Sequence, residues 1–172
     1  MNLILVGCEY AGKTTLVNHI AGWIERTMGP PIPQGMPPFH DHFAFPEIGH
    51  GDLTAEEYEQ VNALSPKLKA MIQNHQIQYH LNPAFYADHD NIMVGFHIEE
   101  AVYAPLYYGY GARGEYAERG LFARSMERNI MERAPDTILV LLKARPEVIR
   151  QRMKENPHTP QTVPEADVEM VL

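Results

Sequence analysis

The stretch Gly7–Thr14, with the sequence GCEYAGKT, decides the fold prediction. It follows the short apolar run Leu3–Val6, which is typical of a strand buried on both faces of a sheet. It leads into Lys13–Met28, where apolar residues recur at helical spacing. A buried strand, a turn bracketed by Gly7 and Gly12, and a helix follow one another without a gap. This succession predicts an α/β domain with its strands covered by helices.

The spacing Gly-x4-Gly-Lys-Thr, in this setting, is the pattern of a loop that binds the phosphates of a nucleotide. Glycines permit a tight turn whose N–H groups point at phosphate oxygens, and the helix that follows adds the positive end of its dipole. Lys13 is expected to reach the β- and γ-phosphates, and the Thr14 hydroxyl to ligate Mg2+. A glycine turn that merely joins a strand to a helix is the alternative. The predicted nucleotide-binding residues are Gly7, Glu9, Tyr10, Ala11, Gly12, Lys13, Thr14 and Thr15.

Composition narrows the class of protein. The chain has 172 residues and a formal net charge of -8, which argues against a nucleic-acid partner without excluding a local basic patch. Its one cysteine, Cys8, permits no internal disulfide. No apolar run approaches the ~20 residues that a membrane-spanning helix needs, and we recognise no signal peptide. We therefore expect a cytoplasmic protein that does not enter a membrane.

The remaining pattern alternates strands and helices, which predicts a parallel sheet with helices on both faces. Further strands are predicted at Phe39–Phe45, Asn91–Ile98 and Asp136–Ala144. Helices are predicted after the capping box of Thr54 and Glu57, at Pro66–Tyr79, Ala117–Arg133 and Pro146–Lys154, with a last helical start at Glu165. Loops are predicted at Gly29–Pro38 and Tyr107–Tyr116. The apolar residues expected to be buried on helices include Trp23, Leu121, Phe122, Met126, Ile130 and Met131.

A phosphate-binding loop serves GTPase switches, ATPases and kinases alike. The DxxG and NKxD patterns of a GTPase switch are missing, and the predicted strands do not close on the acidic residue that a motor ATPase requires. The small size, the helical insert after the second strand and the arginine-bearing helix near the end favour phosphoryl transfer. We therefore read the chain as one domain, residues 1–172, whose C-terminal end looks shortened.

The whole chain resembles the nucleoside and nucleotide kinase group of P-loop proteins, most closely the thymidylate-kinase-like branch. Three stretches carry the resemblance: the loop itself, NIMVGFHIEEAVYAPLYYGYGARG at Asn91–Gly114, and DTILVLLKARPEVIRQRMK at Asp136–Lys154. The resemblance implies a three-layer P-loop NTPase fold with at least four parallel strands. It also implies transfer of the γ-phosphoryl group of ATP, with Mg2+, to a nucleoside or nucleotide acceptor.

The resemblance assigns roles to individual residues. Asp41 would orient the acceptor hydroxyl and take its proton, although a turn residue or a partner of the neighbouring histidines is the alternative. Arg152 would stabilise charge on the transferring group, with an exposed helix charge as the alternative. The predicted catalytic residues are Lys13, Asp41 and Arg152, the metal-binding residues Thr14 and Glu99, and the acceptor-binding residues Asp41, His97, Glu100 and Arg113.

Departures from the family pattern keep other readings open. The aspartate and arginine that the family often has after the third strand are missing near Phe96, so Glu99 or Glu100 would have to take over a water-mediated Mg2+ contact. Without that arginine, Arg113 could clamp an acceptor phosphate, or it could be a plain loop arginine. The acceptor could instead be a modified DNA base, a sugar or another small hydroxyl compound.

Two further alternatives concern the protein as a whole. A nucleotide-binding switch or ATPase without an acceptor would use the same loop. The HDH stretch at His40–His42 has the spacing of a transition-metal site, although we prefer polar residues that line the acceptor pocket. The choice of ATP over GTP and the presence of a homodimer are left open.

Overall fold

The strand that precedes the glycine loop lies at the centre of the sheet. The computed structural model describes residues 2–28, 39–40, 53–81, 91–158 and 161–172. Strand β1 comprises Asn2–Val6, and all five of its side chains are buried. It pairs in parallel with β3, Asn91–Val94, on one side and with β4, Ile138–Leu141, on the other. Strand β2, described at Phe39–His40, pairs in parallel with β3, which gives the order β2-β3-β1-β4.

The described ranges contain six α-helices. They are α1 Lys13–Met28, α2 Ala55–Asn62, α3 Pro66–Tyr79, α4 Phe96–Tyr103, α5 Arg119–Arg133 and α6 Pro146–Glu155. A π-helical turn, Ala104–Tyr108, continues α4, and a short 3-10 helix covers Glu165–Asp167. The capping box predicted for α2 is confirmed, since Thr54 accepts from Glu57 N and the Glu57 side chain accepts from Thr54 N. The α/β class with a parallel sheet is confirmed as well.

Alternate residues of β1 belong to two separate groups of packed apolar side chains. Leu3 and Leu5 pack with Val17 and Ile24 of α1. Ile4 and Val6 pack with residues of α3, α4 and α5. Because successive side chains of a strand point to opposite faces, α1 covers one face of β1, and α3, α4 and α5 cover the second face.

Several predicted boundaries were wrong. The third strand ends at Val94, and α4 begins at Phe96, where Asn91–Ile98 had been predicted as one strand. Gly95 and Phe96 have φ angles of 79° and 47°, a turn that the apolar pattern of these residues does not reveal. Strand β4 is likewise shorter than predicted, and the predicted loop Tyr107–Tyr116 begins inside the π-helical turn.

Some apolar residues predicted to be buried are exposed. Trp23 is 50% exposed on α1, and Leu121 and Met131 are exposed on α5, whereas Met126 and Ile130 are buried as predicted. The prediction that Trp23 lies in a helix is therefore confirmed, whereas the prediction that its side chain is buried was wrong. No helix in the described part of the chain is both long and apolar enough to cross a membrane.

A buried arginine joins three helices of the second face. Arg119, at the start of α5, is fully buried. Its Nη1 donates to Asn74 Oδ1 of α3 at 2.5 Å, and its Nε lies 3.3 Å from Glu100 Oε1 of α4. Tyr110 Oη donates to the same carboxylate oxygen at 2.5 Å. A Cβ at Gly111 would lie 2.3 Å from Arg119 Cγ, so a glycine is required beside this arginine.

We expect Arg119→Met to destabilise the protein by about 3–5 kcal/mol, because it removes the buried cation beside the Glu100 carboxylate. Urea denaturation followed by circular dichroism measures the loss. Arg124→Met, an exposed position on the same helix, is the matched control and should change the free energy of unfolding by less than about 0.5 kcal/mol. Adding Glu100→Gln to Arg119→Met should recover part of the loss. A loss below about 1 kcal/mol in Arg119→Met would contradict this account.

Candidate phosphate-binding site

The predicted loop lies between the carboxyl end of β1 and the first turn of α1. Ala11 N donates to Cys8 O at 3.0 Å and Leu16 N donates to Gly12 O at 3.0 Å, which fixes the turn. A Cβ at Gly7 would lie 2.6 Å from Leu142 O, so the close approach of the chain after β4 excludes any side chain there. Gly12 has a φ of +103°, a conformation that side chains rarely adopt.

The first turn of α1 presents backbone N–H groups. Such groups have no acceptor within their own helix. Within the described part of the chain, no hydrogen bond leaves the N–H groups of Lys13 or Thr14. The side chains of Thr14 and Thr15 are exposed beside them. Free N–H donors and a hydroxyl at a helix N-terminus together can bind an anion and a hard cation.

The ammonium group of Lys13 is held by a carboxylate. Lys13 Nζ lies 2.7 Å from both carboxylate oxygens of Glu99 and donates to Gly7 O at 2.5 Å. Gly7 N donates to Glu99 Oε1 at 2.8 Å, and both charged side chains are buried. Glu99 lies one turn into α4, so the turn at Gly95 and Phe96 brings it against the loop. Of the two acidic residues proposed to contact Mg2+, Glu99 therefore lies at the loop.

Arg152 lies against the outside of the loop. It belongs to α6, and its Nη1 donates to Tyr10 O at 2.7 Å. The same nitrogen would be 3.6 Å from a Cβ at Gly12, the residue that precedes Lys13. Its side chain is exposed, so its guanidinium adds positive charge at the rim of the loop. The structure thus brings Lys13, Glu99 and Arg152 to one place.

Two loop residues face the C-terminal segment instead. Glu9 Oε2 accepts from Thr162 N at 3.0 Å and from Val163 N at 2.8 Å, and its Oε1 lies 2.9 Å from His158 Nδ1. The ring of Tyr10 stacks on His158 with 4.0 Å between centroids, and Tyr10 has a φ of 65°. Their side chains therefore tie the loop to His158, Thr162 and Val163, a role that the sequence pattern did not predict.

The buried side chain of Cys8 fills space inside the loop. It is buried, and burial raises the pKa of its thiol to about 11, against the lowering effect of Lys13. A thiol with so high a pKa is a poor nucleophile at neutral pH. Tyr103 is buried beside it, and its hydroxyl accepts from Glu9 N at 3.2 Å.

The predicted acceptor residues fall into different surroundings. Glu100 is engaged by Arg119 and Tyr110, and Arg113 is exposed, without a hydrogen bond or ion pair to another residue in the described ranges. His97 is buried, and burial lowers the pKa of its imidazole to about 4. Asp41, like His42, lies outside the described residues. Among the residues described, no group of three or more His, Cys, Asp or Glu could hold a metal ion.

Sequence reasoning missed the polar stripe of α3. Gln73 and Gln76 of this helix and His80, the residue that follows it, are buried at spacings of three and four residues, which places them on one side. The signal was present in the segment QNHQIQYH, where polar residues occupy positions that an amphipathic helix gives to apolar ones. Arg119 was missed because a single arginine after a glycine loop carries no periodic signal.

No protein-family model, no curated protein and no solved structure matches the chain. The resemblance to nucleoside and nucleotide kinases therefore stays a prediction from the sequence motifs.

We expect the wild-type protein to lose stability as the pH falls from 6.5 towards 4, in part because of His97. Its pKa is lowered by burial in the folded chain, so the unfolded chain binds the proton first. Its contribution is complete above pH 6.5 and declines by up to ~1.4 kcal/mol per pH unit below that. The exposed Glu127 carboxylate lies 4.0 Å from His97 Nε2.

Urea denaturation of wild type and His97→Phe between pH 7 and pH 4 tests this expectation. The stability of His97→Phe should fall less steeply than that of wild type. His75→Phe, an exposed histidine of α3, is the control and should follow the wild-type curve. Parallel curves for wild type and His97→Phe would show that His97 does not carry the effect.

Proposed function

We propose that this protein is a P-loop kinase that transfers the γ-phosphoryl group of ATP to a nucleoside or nucleotide. The observation that carries the proposal is the contact of Glu99 with Lys13 and Gly7 N inside the loop Gly7–Thr14. A buried lysine and carboxylate at a helix N-terminus, beside free N–H donors, are the groups that phosphoryl transfer uses. The P-loop NTPase fold belongs to the same proposal, supported by the central position of β1 and the order β2-β3-β1-β4.

The residues at the loop fit a triphosphate and Mg2+. The free N–H groups at the start of α1 and the Lys13 ammonium suit phosphate oxygens. The exposed Thr14 hydroxyl and the Glu99 carboxylate are oxygen ligands of the kind that Mg2+ prefers, either directly or through water. When bound, the nucleotide supplies the phosphoryl group and the metal ion neutralises part of its charge.

The chain's own part in the reaction is positioning and charge compensation. Lys13 Nζ is held by Glu99 and Gly7 O, and it would exchange one of these contacts for a phosphate oxygen when the nucleotide binds. Arg152 at the rim adds a second cation that can stabilise charge on the transferring group. No nucleophilic side chain is needed, which agrees with the raised pKa of Cys8.

The acceptor is proposed to bind at the carboxyl ends of β2 and β3. His40 pairs with Val94, one residue before the turn that leads into α4 and Glu99. In open parallel sheets, ligands bind outside the carboxyl ends of the strands. Asp41, proposed to orient the acceptor hydroxyl and take its proton, follows His40 in the sequence.

Mass spectrometry of phosphorylated products tests the kinase proposal. The protein, ATP and Mg2+ are incubated with nucleosides, nucleoside monophosphates and short DNA. We expect one class of acceptor to gain a single phosphoryl group. Lys13→Met should abolish the product, and Thr14→Val, which keeps the pair of Lys13 and Glu99, should reduce it. ADP without any phosphorylated acceptor would contradict the kinase proposal for these acceptors and favour a nucleotide switch.

We expect Glu99→Gln to lower kcat by at least about tenfold, because the neutral amide neither balances Lys13 nor serves Mg2+ as a carboxylate does. The requirement for Mg2+ should shift to higher concentration. Initial rates measured against Mg2+ concentration test both effects. Glu132→Gln, an exposed position on α5, is the control and should keep the wild-type rates. Unchanged rates and Mg2+ dependence in Glu99→Gln would remove Glu99 from the reaction.

A further inference from the structure

The ammonium group of Lys13 meets three acceptors of the chain itself. An ammonium carries three N–H donors and no acceptor. Lys13 Nζ lies 2.5 Å from Gly7 O and 2.7 Å from each carboxylate oxygen of Glu99, so all three donors are engaged. Only 8% of the Lys13 side chain and 6% of the Glu99 side chain are exposed. A phosphate oxygen can therefore reach this ammonium only by displacing one of these acceptors.

The Glu99 carboxylate also engages a backbone donor of the loop. Gly7 N donates to Glu99 Oε1 at 2.8 Å, and the same oxygen accepts from Lys13 Nζ. A lysine and backbone N–H groups are the two kinds of donor that a loop of this type offers to a phosphate. Glu99 is therefore an anion of the chain itself, held by the same kinds of group that would hold the phosphate.

The partner exchange at Lys13 is unfavourable when the nucleotide carries no metal ion. Once Lys13 moves to a phosphate oxygen, the buried Glu99 carboxylate loses its cation and lies close to a group of its own charge sign. A buried charge that has lost its partner is unfavourable, and so are like charges placed side by side. The other cation at the loop, Arg152, lies on its outer side, where Nη1 donates to Tyr10 O. It therefore does not take the place of Lys13 beside Glu99.

The same exchange is favourable when a divalent cation arrives with the nucleotide. Carboxylate oxygens are preferred ligands of Mg2+, directly or through water. Glu99 then leaves one cation for another, and Lys13 leaves one anion for another. Each of the two buried charges keeps a partner of opposite sign throughout, which is the condition for a charged group to remain buried.

We propose that Glu99 selects the metal-bound form of the nucleotide: it holds Lys13 against a metal-free triphosphate and releases Lys13 when a divalent cation takes its carboxylate. This proposal rests on the nucleotide binding of the proposed function and adds a specificity-determining residue to it. The carboxylate that favours the nucleotide with Mg2+ is the same group that opposes the nucleotide without it. Removal of the Glu99 charge should therefore strengthen the binding of metal-free ATP.

Titration calorimetry of ATP with excess Mg2+, and of ATP with EDTA, tests the proposal through the ratio of the two dissociation constants. We expect wild type to bind ATP with Mg2+ at least about tenfold more tightly than metal-free ATP. Glu99→Gln keeps the size of the side chain and an oxygen acceptor but removes the charge. It should bind metal-free ATP at least about fivefold more tightly than wild type, and the ratio should fall by at least the same factor.

The matched control removes the same charge elsewhere. Glu132→Gln changes an exposed position on α5 and should keep the wild-type ratio. Glu99→Ala, which admits water beside Lys13, is the second test variant if Glu99→Gln does not fold, and it should lower the ratio in the same direction. Circular dichroism confirms that each variant is folded. A residue that only supports the fold would weaken both forms of ATP alike when it is replaced.

Three outcomes would overturn the proposal: wild type binds ATP equally with and without Mg2+, the folded Glu99 variants keep the wild-type ratio, or they lose affinity for both forms alike. Binding of both forms at an unchanged ratio would leave the nucleotide site standing and remove only the selection by Glu99. Wild type that binds neither form would remove the nucleotide site as well. The expected ratios without any phosphorylated acceptor would leave the selection standing and remove the kinase.

Discussion

The contact between Glu99 and the glycine loop is the interaction on which the site depends. One carboxylate accepts from Gly7 N and meets the Lys13 ammonium at 2.7 Å with both oxygens. A buried charge without a partner would be costly, so each of the two charged groups requires the other. Because Lys13 begins α1 and Glu99 lies in α4, the ion pair also fixes the helices on opposite faces of β1 relative to each other.

A second set of contacts fixes the outer side of the same loop. The Glu9 carboxylate accepts from two consecutive N–H groups, those of Thr162 and Val163, and Tyr10 stacks on His158. Arg152 donates to the backbone oxygen of Tyr10, which lies in the loop just before α1. The loop is thus held from inside by Glu99 and from outside by the C-terminal segment. An anion site preorganised in this way loses little freedom on binding.

Much of the fold could be predicted from local pattern. The buried run of β1, the capping box of α2, and Pro66 at the start of α3 each specify an element through a local physical rule. The boundary between β3 and α4 could not be predicted in this way, since Gly95 and Phe96 adopt positive φ angles within an apolar run. The exposure of Trp23 could not be predicted either, because it depends on which side of α1 packs against the sheet.

Some residues of the candidate site could be predicted from the sequence and others could not, for a similar reason. Lys13 and Thr14 belong to a motif whose spacing fixes their position, whereas the choice between Glu99 and Glu100 depended on the angle at which α4 leaves the sheet. Glu99 faces the loop and Glu100 faces Arg119. The full burial of Gln73 could not be predicted either, since it depends on how the helices pack.

Titration calorimetry of ATP with Mg2+ tests the central claim most directly: the loop Gly7–Thr14, with Lys13 held by Glu99, binds a triphosphate. The account predicts saturable binding with one nucleotide per chain, weakened at least tenfold in Lys13→Met and unchanged in Lys67→Met, an exposed position on α3. Circular dichroism confirms that the variants are folded. Absent binding in wild type, or equal affinity in folded Lys13→Met, would contradict the account.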